Sequence, residues 1–129
     1  MATDATTPRV VVVCENPETV DGLQTYFVSV GISAHSARGL DANTCIPERT
    51  TAVVVFPDEF EGDDVVERIS SLGGRRPRLL LLIVTGEPQR FAAARKSVKK
   101  GSSWLVLPKP AFGWTIVDAI RLHAETNSA

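Results

Sequence analysis

Short, almost wholly apolar runs alternate along the chain with longer stretches in which apolar residues recur every three or four positions. The runs are rich in β-branched and aliphatic residues, which is typical of strands buried on both faces of a sheet. One run, Ile32–Ala37, alternates more weakly and predicts a peripheral strand. The other predicted strands are Arg9–Cys14, Thr51–Phe56, Arg78–Thr85 and Trp104–Leu107.

Between these strands, apolar residues recur every three or four positions, which predicts helices. Pro17 suits the first turn of the first helix, where its missing N–H costs no hydrogen bond, and Gly31 suits the end of that helix. We expect a second, short helix at Asp41–Cys45. The apolar positions of the remaining helices are Val65, Val66, Ile69 and Leu72 in the third, Phe91, Ala94 and Val98 in the fourth (between Pro88 and Gly101), and Phe112, Ile116, Ala119, Ile120 and His123 in the fifth.

This order of strands and helices predicts an α/β fold. Parallel strands need long crossover connections, which helices supply, so the sheet should be parallel and covered on both faces. In such open sheets the working crevice lies at the carboxyl ends of the strands. The residues that this rule places around the crevice are Cys14, Glu15, Phe56, Asp58, Thr85, Gly86 and Lys109.

Length and composition indicate one globular domain. With 129 residues, of which 43% are hydrophobic, the chain can bury one core. We assign residues 9–125 to the domain, and residues 1–8 and 126–129 to flexible tails. The net charge of −1 provides no general attraction to nucleic acid or to a membrane surface.

We expect neither a signal peptide nor a membrane-spanning segment. The first eight residues are small and polar, and the longest apolar run, Leu79–Val84, is too short to span a bilayer. The two cysteines, Cys14 and Cys45, form no disulfide or metal-binding pattern and fit a reducing compartment. We therefore expect a cytoplasmic protein without membrane insertion.

Three stretches resemble the receiver domain of bacterial response regulators. Residues 107–112 (LPKPAF) resemble its lysine–proline signature after the fifth strand, residues 82–86 (LIVTG) its fourth strand, and residues 12–17 (VVCENP) the end of its first strand. The resemblance extends from Arg9 to about Ala124. It implies a flavodoxin-like three-layer fold with a five-stranded parallel sheet in the order 2-1-3-4-5 and helices on both faces.

Two departures from the receiver pattern change the expected chemistry. The resemblance implies a phosphate-accepting aspartate directly after the third strand and an acidic pair after the first strand that helps to hold Mg²⁺. Phe56 stands at the acceptor position, Cys14 replaces the first acid, and only Glu15 remains of the pair. Mg²⁺ needs well-placed oxygen ligands, and phosphoryl transfer depends on that metal. We therefore expect a degenerate phosphorylation pocket with no metal, no other cofactor and no enzymatic activity.

Thr85 and Lys109 match the receiver residues that would hold the phosphoryl oxygens. Without an acceptor we expect them to be structural. An unpaired ammonium in a crevice is costly, so Lys109 should find a carboxylate, for which Glu15 is the expected partner. An alternative role for Cys14 is a redox-sensitive thiol activated by Lys109, although a buried cysteine more often acts as a small hydrophobic residue.

A genuine phosphoreceiver that uses Asp58 is the first alternative function. Asp58 lies two residues beyond the acceptor position. We expect it to stay in the loop, because Pro57 restricts how that loop can fold back. Asp63 and Asp64 are expected to lie at a helix start, where negative charge is favoured.

Protein partners are expected on the face that receivers commonly use, which consists of the fourth helix, the fifth strand and the fifth helix. The same face is the candidate surface for a homodimer. Val106 stands where receivers carry a switching aromatic residue, so we expect that switch to be lost. The expected contact residues are Arg95, Lys99, Trp104, Val106 and Trp114.

A nucleic-acid or nucleotide site is the second alternative function. Basic residues cluster in the loop before the fourth strand and on the fourth helix. The one aromatic residue among them, Phe91, is predicted to be core, so it is not expected to stack on the bases of a nucleic acid. These basic residues are Arg75, Arg76, Arg78, Arg90, Arg95, Lys96, Lys99 and Lys100. We therefore expect bacterial signal transduction through phosphorylation-independent protein–protein interaction, with nucleic-acid binding disfavoured.

Overall fold

The computed structural model describes residues 9–14, 16–37, 50–60, 65, 67–69, 79–93, 103–109 and 111–128. Within these residues, five strands form one parallel sheet, and three helices, a 3₁₀ turn and further helical residues at 65 and 67–69 connect or cover them. The strands are β1 (Arg9–Val13), β2 (Ser33–Ala37), β3 (Ala52–Val55), β4 (Leu80–Thr85) and β5 (Ser103–Pro108). The helices are α1 (Pro17–Ser29), α2 (Pro88–Ala93) and α3 (Gly113–Ser128), and the 3₁₀ turn is Pro57–Glu59.

The sheet order is β2-β1-β3-β4-β5, which confirms the predicted flavodoxin-like fold. All four strand pairings are parallel. Val13, the last residue of β1, lies beside Val55, the last residue of β3, and Val55 lies beside Ile83, two residues before the end of β4. The carboxyl ends of β1, β3 and β4 therefore meet at one edge of the sheet.

Helix α1 shows how local sequence sets an element's bounds. Pro17 occupies the first turn, and the Asn16 side chain caps the helix by accepting hydrogen bonds from the backbone N–H groups of Glu18 (3.0 Å) and Thr19 (3.2 Å). Gly31 follows the helix with a φ of 82°, a left-handed conformation that favours glycine. The predicted start and stop of this helix are confirmed.

The side chains of the central strands alternate between two cores, one on each face of the sheet. Val10, Val12 and Val54 face the core shared with α1 and α3. On the opposite face, Val53 and Val55 pack with Phe91 of α2 and with Val65 and Ile69 of a helical segment. Both faces are thus covered.

The predicted short helix at Asp41–Cys45 lies outside the described residues.

Trp104 belongs to the second core, and its expected role as a partner-contacting residue is wrong. Its side chain is 5% exposed, and its indole N–H donates a 2.9 Å hydrogen bond to the Phe91 carbonyl oxygen. A buried indole normally finds such a partner. Trp104 on β5 therefore holds the end of α2 against the sheet and presents no surface to another molecule.

The last helix differs from its prediction at both ends. Phe112, which was predicted among the apolar positions of this helix, precedes it and is 52% exposed. The helix continues to Ser128, beyond the predicted start of the C-terminal tail at residue 126, because polar residues extend a helix without adding to its apolar period. Gly113 allows close packing: a Cβ there would lie 2.9 Å from the Tyr26 ring.

Within the part of the chain that the structure describes, no helix is long and apolar enough to cross a membrane.

Candidate functional site

The candidate site lies in the crevice at the carboxyl edge of the sheet, where the residues that follow β1, β3, β4 and β5 come together. Phe56 directly follows β3, and its backbone N–H bonds to the Val13 carbonyl oxygen of β1 (3.1 Å). Thr85 ends β4 and accepts a 2.9 Å bond at its carbonyl oxygen from the backbone N–H of Lys109, which follows β5. Backbone bonds between neighbouring strand ends therefore position Phe56, Thr85 and Lys109.

Asp58 enters this crevice from the 3₁₀ turn after β3. Pro57 begins the turn, and the Phe60 N–H closes it with a 3.0 Å bond to the Pro57 carbonyl oxygen. The Asp58 side chain thereby lies over the end of β4. Its Oδ1 accepts a 2.6 Å bond from the Thr85 hydroxyl, and its Oδ2 accepts a 2.7 Å bond from the Gly86 N–H.

This geometry contradicts the expected behaviour of the loop. The restriction that Pro57 places on the loop does not keep Asp58 out of the crevice, because the fixed φ of proline suits the first position of a tight turn that returns the chain toward the sheet. A Pro-Asp pair one residue beyond a buried strand, together with a lysine at the same edge that needs a carboxylate, is the sequence signal for this arrangement.

Lys109 pairs with Asp58. Its Nζ lies 3.4 Å from Asp58 Oδ2, with side-chain exposures of 38% for the lysine and 29% for the aspartate. The same ammonium lies 6.0 Å from the centre of the Phe56 ring. The expected partner of Lys109 was Glu15, which lies outside the described residues. The carboxylate that the structure shows beside Lys109 is that of Asp58.

The surroundings of Asp58 favour its ionised form. Partial burial acts to raise its pKa, but the hydrogen bonds from Gly86 and Thr85 and the positive charge of Lys109 outweigh that effect. The pKa of Asp58 therefore lies below its ordinary value. The crevice thus holds a carboxylate anion whose two oxygens are both engaged.

Thr85 is oriented by two contacts. Its side chain is fully buried, and its hydroxyl oxygen accepts a 3.0 Å bond from the Glu87 N–H. A hydroxyl has one proton to donate, and here that proton goes to Asp58 Oδ1. The buried hydroxyl is satisfied by one donor and one acceptor.

Phe56 and Cys14 are core residues at the floor of the crevice. Phe56 is 7% exposed and Cys14 is 1% exposed, and both pack in the core beneath α1 and α3. The Cys14 thiol lies 3.7 Å from the Asn16 carbonyl oxygen. Such burial disfavours the redox-sensor alternative, because reactive thiols are partly exposed and lie near cations.

The described crevice residues do not fit Mg²⁺, the ion that the receiver fold implies. Mg²⁺ requires several oxygen ligands in octahedral geometry. In this part of the crevice the side chains are a thiol, an aromatic ring, a hydroxyl, an ammonium group that would repel a cation, and a carboxylate already in contact with three donors. Among the described residues, no group of three His, Cys, Asp or Glu residues is arranged to hold a metal ion.

The expected partner face is only partly described. Trp114 is 56% exposed and stacks on Phe112, with ring centres 4.4 Å apart and planes 3° from parallel. Val106 is half-buried against the core that contains Trp104. Arg95 and Lys99 lie outside the described residues, as do the other predicted basic residues except Arg90. Arg90 pairs with Glu87 at 3.4 Å and lies 5.1 Å from the centre of the Phe91 ring.

Asp63 and Asp64, which are predicted to lie at the start of a helix, are also outside the described residues. His35 lies on β2, and His123 lies on α3 and is half-buried. The crevice thus brings together Phe56, Asp58 and Lys109 with Thr85 and Gly86.

Comparisons with solved structures identify this architecture as the receiver fold. The chain is similar to a CheY-like response regulator receiver domain protein from Methanospirillum hungatei JF-1, with 12% identity, a TM-score of 0.72, and coverage of 95% of this chain and 97% of that one. A receiver domain protein from Clostridium thermocellum matches with 13% identity, a TM-score of 0.69, and coverage of 94% and 97%.

A third similar structure has a different name. It is described as an adenylate cyclase from Rhodopirellula baltica, and it matches with 16% identity, a TM-score of 0.71, and coverage of 92% of this chain and 88% of that one. No protein-family model matches the chain, and no curated protein matches it. Identities this low establish the shared fold alone.

Proposed function

We propose that this chain is a signalling module with a receiver fold that accepts no phosphoryl group and acts by binding protein partners. The observation that carries the proposal is the state of the Asp58 carboxylate, whose two oxygens already accept bonds from Thr85, Gly86 and Lys109. Phe56, at the position directly after β3, offers only a buried ring.

Phosphoryl transfer to Asp58 is disfavoured by charge and by geometry. The attacking carboxylate oxygen must direct a lone pair at phosphorus while cations and hydrogen-bond donors neutralise the transferred group. Around Asp58 those donors bind the carboxylate itself. A phosphodonor would have to displace Asp58 from the same groups that its own phosphoryl oxygens need.

Incubation with acetyl phosphate and Mg²⁺ tests this part of the proposal. We expect intact-mass spectra recorded at early times to show the unmodified chain, while a receiver domain with an acceptor aspartate, treated in parallel, gains one phosphoryl group. A single phosphate adduct on this chain that disappears in Asp58→Asn would overturn the proposal and establish Asp58 as the acceptor.

The described surface that best fits a protein partner is the aromatic pair Phe112 and Trp114. Stacked, exposed aromatic rings offer a large rigid contact area, and such residues are enriched where proteins bind one another. The pair lies at the start of α3, on one of the elements of the expected partner face. Trp104 no longer contributes to that face because it is buried.

Photo-crosslinking tests this surface. We expect benzoylphenylalanine at position 114 to crosslink discrete protein partners in the cells that produce the chain. Val28, 69% exposed on α1, provides a matched exposed apolar control position, from which those products should be absent. Equal crosslinking from positions 28 and 114, or none from position 114, would remove Phe112 and Trp114 from the proposed interface.

A further inference from the structure

We propose that two copies of this chain associate through the outward face of α3, where the side chains of Trp114, Asp118 and Leu122 from each copy pack together. The inference rests on the proposed function, because it names the partner of the Trp114 surface as a second copy of the chain. It goes beyond that function because it specifies the symmetry of the complex and the residue at its centre.

The three residues form one row along the exposed side of α3. Residues four positions apart lie one above the other on a helix, so positions 114, 118 and 122 share a face. The side chains of Trp114 and Leu122 are 56% and 66% exposed, and Asp118 is exposed between them. A surface helix normally turns its large apolar residues toward the core, as α3 does with Ile116 and Ile120. The row adds two large apolar side chains on the opposite side, which is typical of a surface that another molecule covers.

This surface differs from the expected partner face. Gly113 lies against the Tyr26 ring, and the Arg121 guanidinium donates a 2.8 Å hydrogen bond to the Val30 carbonyl oxygen, so α1 flanks α3. The row lies on the outward side of α3 next to that contact. It therefore belongs to α3 alone, whereas the expected partner face also requires α2 and β5.

The row has the same character when it is read in either direction. One large apolar side chain lies four residues before Asp118, and another lies four residues after it. In an antiparallel pair of α3 helices centred on Asp118, Trp114 of each copy meets Leu122 of the other, because a two-fold axis repeats every contact. Rows of residues spaced by four are also the ridges that interlock in the commonest class of helix pair. The pattern therefore fits a second copy of this chain.

The charges at the centre of this pair are balanced. The two-fold axis brings two Asp118 carboxylates together, and alone they would repel each other. Arg121 lies one turn further along the same helix and is exposed, so the axis brings two guanidinium groups to the same place. A guanidinium has five N–H groups, so Arg121 can keep its bond to the Val30 carbonyl oxygen while it pairs with a carboxylate. Two acids and two bases thus complement each other across the axis.

The expected complex is weak. One helix from each copy buries less surface than the roughly 1,600 Å² of a standard complex, and small interfaces of this kind form transient pairs. We therefore expect the dimer to form well above a protein concentration of about 1 µM and to dissociate at that concentration. Unfolding experiments on dilute samples accordingly report on the single chain.

Sedimentation equilibrium from low micromolar to near-millimolar concentration tests the association. We expect the native chain to pass from monomer to dimer and to form no larger species, because a two-fold interface is closed. Trp114→Lys and Leu122→Lys should each weaken the dimer by roughly tenfold or more, since each places a charge against an apolar side chain of the other copy. Val28→Lys is the matched control, because Val28 is 69% exposed on α1, and it should leave the association unchanged.

Charge reversal at Asp118 tests the position of the axis. Two copies of Asp118→Arg would bring four guanidinium groups together, so we expect this variant to sediment as a monomer. An equimolar mixture with the native chain should form a dimer again, because the introduced arginine then faces a native Asp118. Fluorescent labelling of the variant identifies the mixed species. Asp21→Arg, at an exposed position of α1, provides the control and should dimerise as the native chain does.

Three outcomes would overturn the inference: a native chain that stays monomeric at the highest concentration, equal weakening by Val28→Lys and Trp114→Lys, or a mixture that forms no dimer. Far-ultraviolet circular dichroism of each variant confirms that it is folded. Crosslinks from position 114 to other proteins, without self-association, would overturn this inference and leave the proposed function intact. A phosphate adduct on Asp58 would overturn the proposed function and leave the dimer intact, so the two failures are distinguishable.

Discussion

Trp104→Ala is expected to lower the free energy of unfolding by about 3–5 kcal/mol, the usual cost of removing a large buried aromatic side chain. The ring is 5% exposed and packs in the core formed by β1, β3, β4 and α2. Its loss leaves a cavity beside Phe91 and also removes the donor to the Phe91 carbonyl oxygen. Equilibrium unfolding in urea, followed by far-ultraviolet circular dichroism, measures the change.

Two variants separate the contributions of burial and hydrogen bonding. Trp104→Phe keeps most of the ring but leaves the Phe91 carbonyl oxygen without its indole donor, so we expect a smaller loss of about 1–3 kcal/mol. Trp114→Ala is the matched control, because that ring is 56% exposed, and its effect should stay within about 0.5 kcal/mol. Equal losses from Trp104→Ala and Trp114→Ala would show that Trp104 is not the core residue described above.

Asp58→Asn is expected to destabilise the protein at pH 7 and to lose that effect in acid. The amide keeps the size of the carboxylate, but it has no charge for Lys109 and places an NH₂ group toward the donors that now face Oδ2. Hydrogen bonds to a charged group contribute about 1.5–3 kcal/mol when buried, and partial solvation reduces this to about 1–2 kcal/mol here.

The sign of the pH dependence follows from the lowered pKa of Asp58 in the folded chain. An aspartate in the unfolded chain titrates near a pKa of about 3.9. Above that pH the native carboxylate is charged in both states, and its contribution to stability is fully present. As the pH falls below about 3.9 and through the lower folded pKa, the unfolded chain binds the proton first and the contribution disappears.

Urea unfolding of the native chain and of Asp58→Asn between neutral pH and the acid range checks this expectation. The difference in unfolding free energy should be largest at neutral pH and should vanish in acid. Asp118→Asn, on the exposed face of α3, provides a control with little effect at any pH. A difference for Asp58→Asn that stays constant, or that grows as the pH falls, would contradict the role assigned to the carboxylate.

Several parts of the molecule could be predicted before the structure was known. The apolar strands Ala52–Val55 and Leu80–Thr85 are legible because residues buried on both faces form runs with no polar interruption. The bounds of α1 follow from Pro17 and Gly31, whose backbone preferences act locally. The strand order, in contrast, came from the resemblance to receivers, because strand periodicity does not specify neighbours.

The two tryptophans show what the sequence pattern did not distinguish, because only Trp114 is exposed as predicted. Both lie near the carboxyl half of the chain, and both were expected on the partner face. Trp104 shares a face of β5 with Val106, and that face is turned toward the core under α2. Trp114 lies on the exposed side of α3. Which side of an element faces inward depends on what packs against it, which the spacing of aromatic residues does not reveal.

The sequence by itself determined which chemical groups are present: a phenylalanine directly after the third strand, a lysine after the fifth, and a threonine at the end of the fourth. It determined the alternation of strands and helices as well, because local backbone preference and apolar periodicity act over a few residues. Tertiary structure alone decided that Asp58 is the partner of Lys109. That pairing joins groups far apart in the chain, and it depends on a turn whose direction is set by contacts with the neighbouring strand ends.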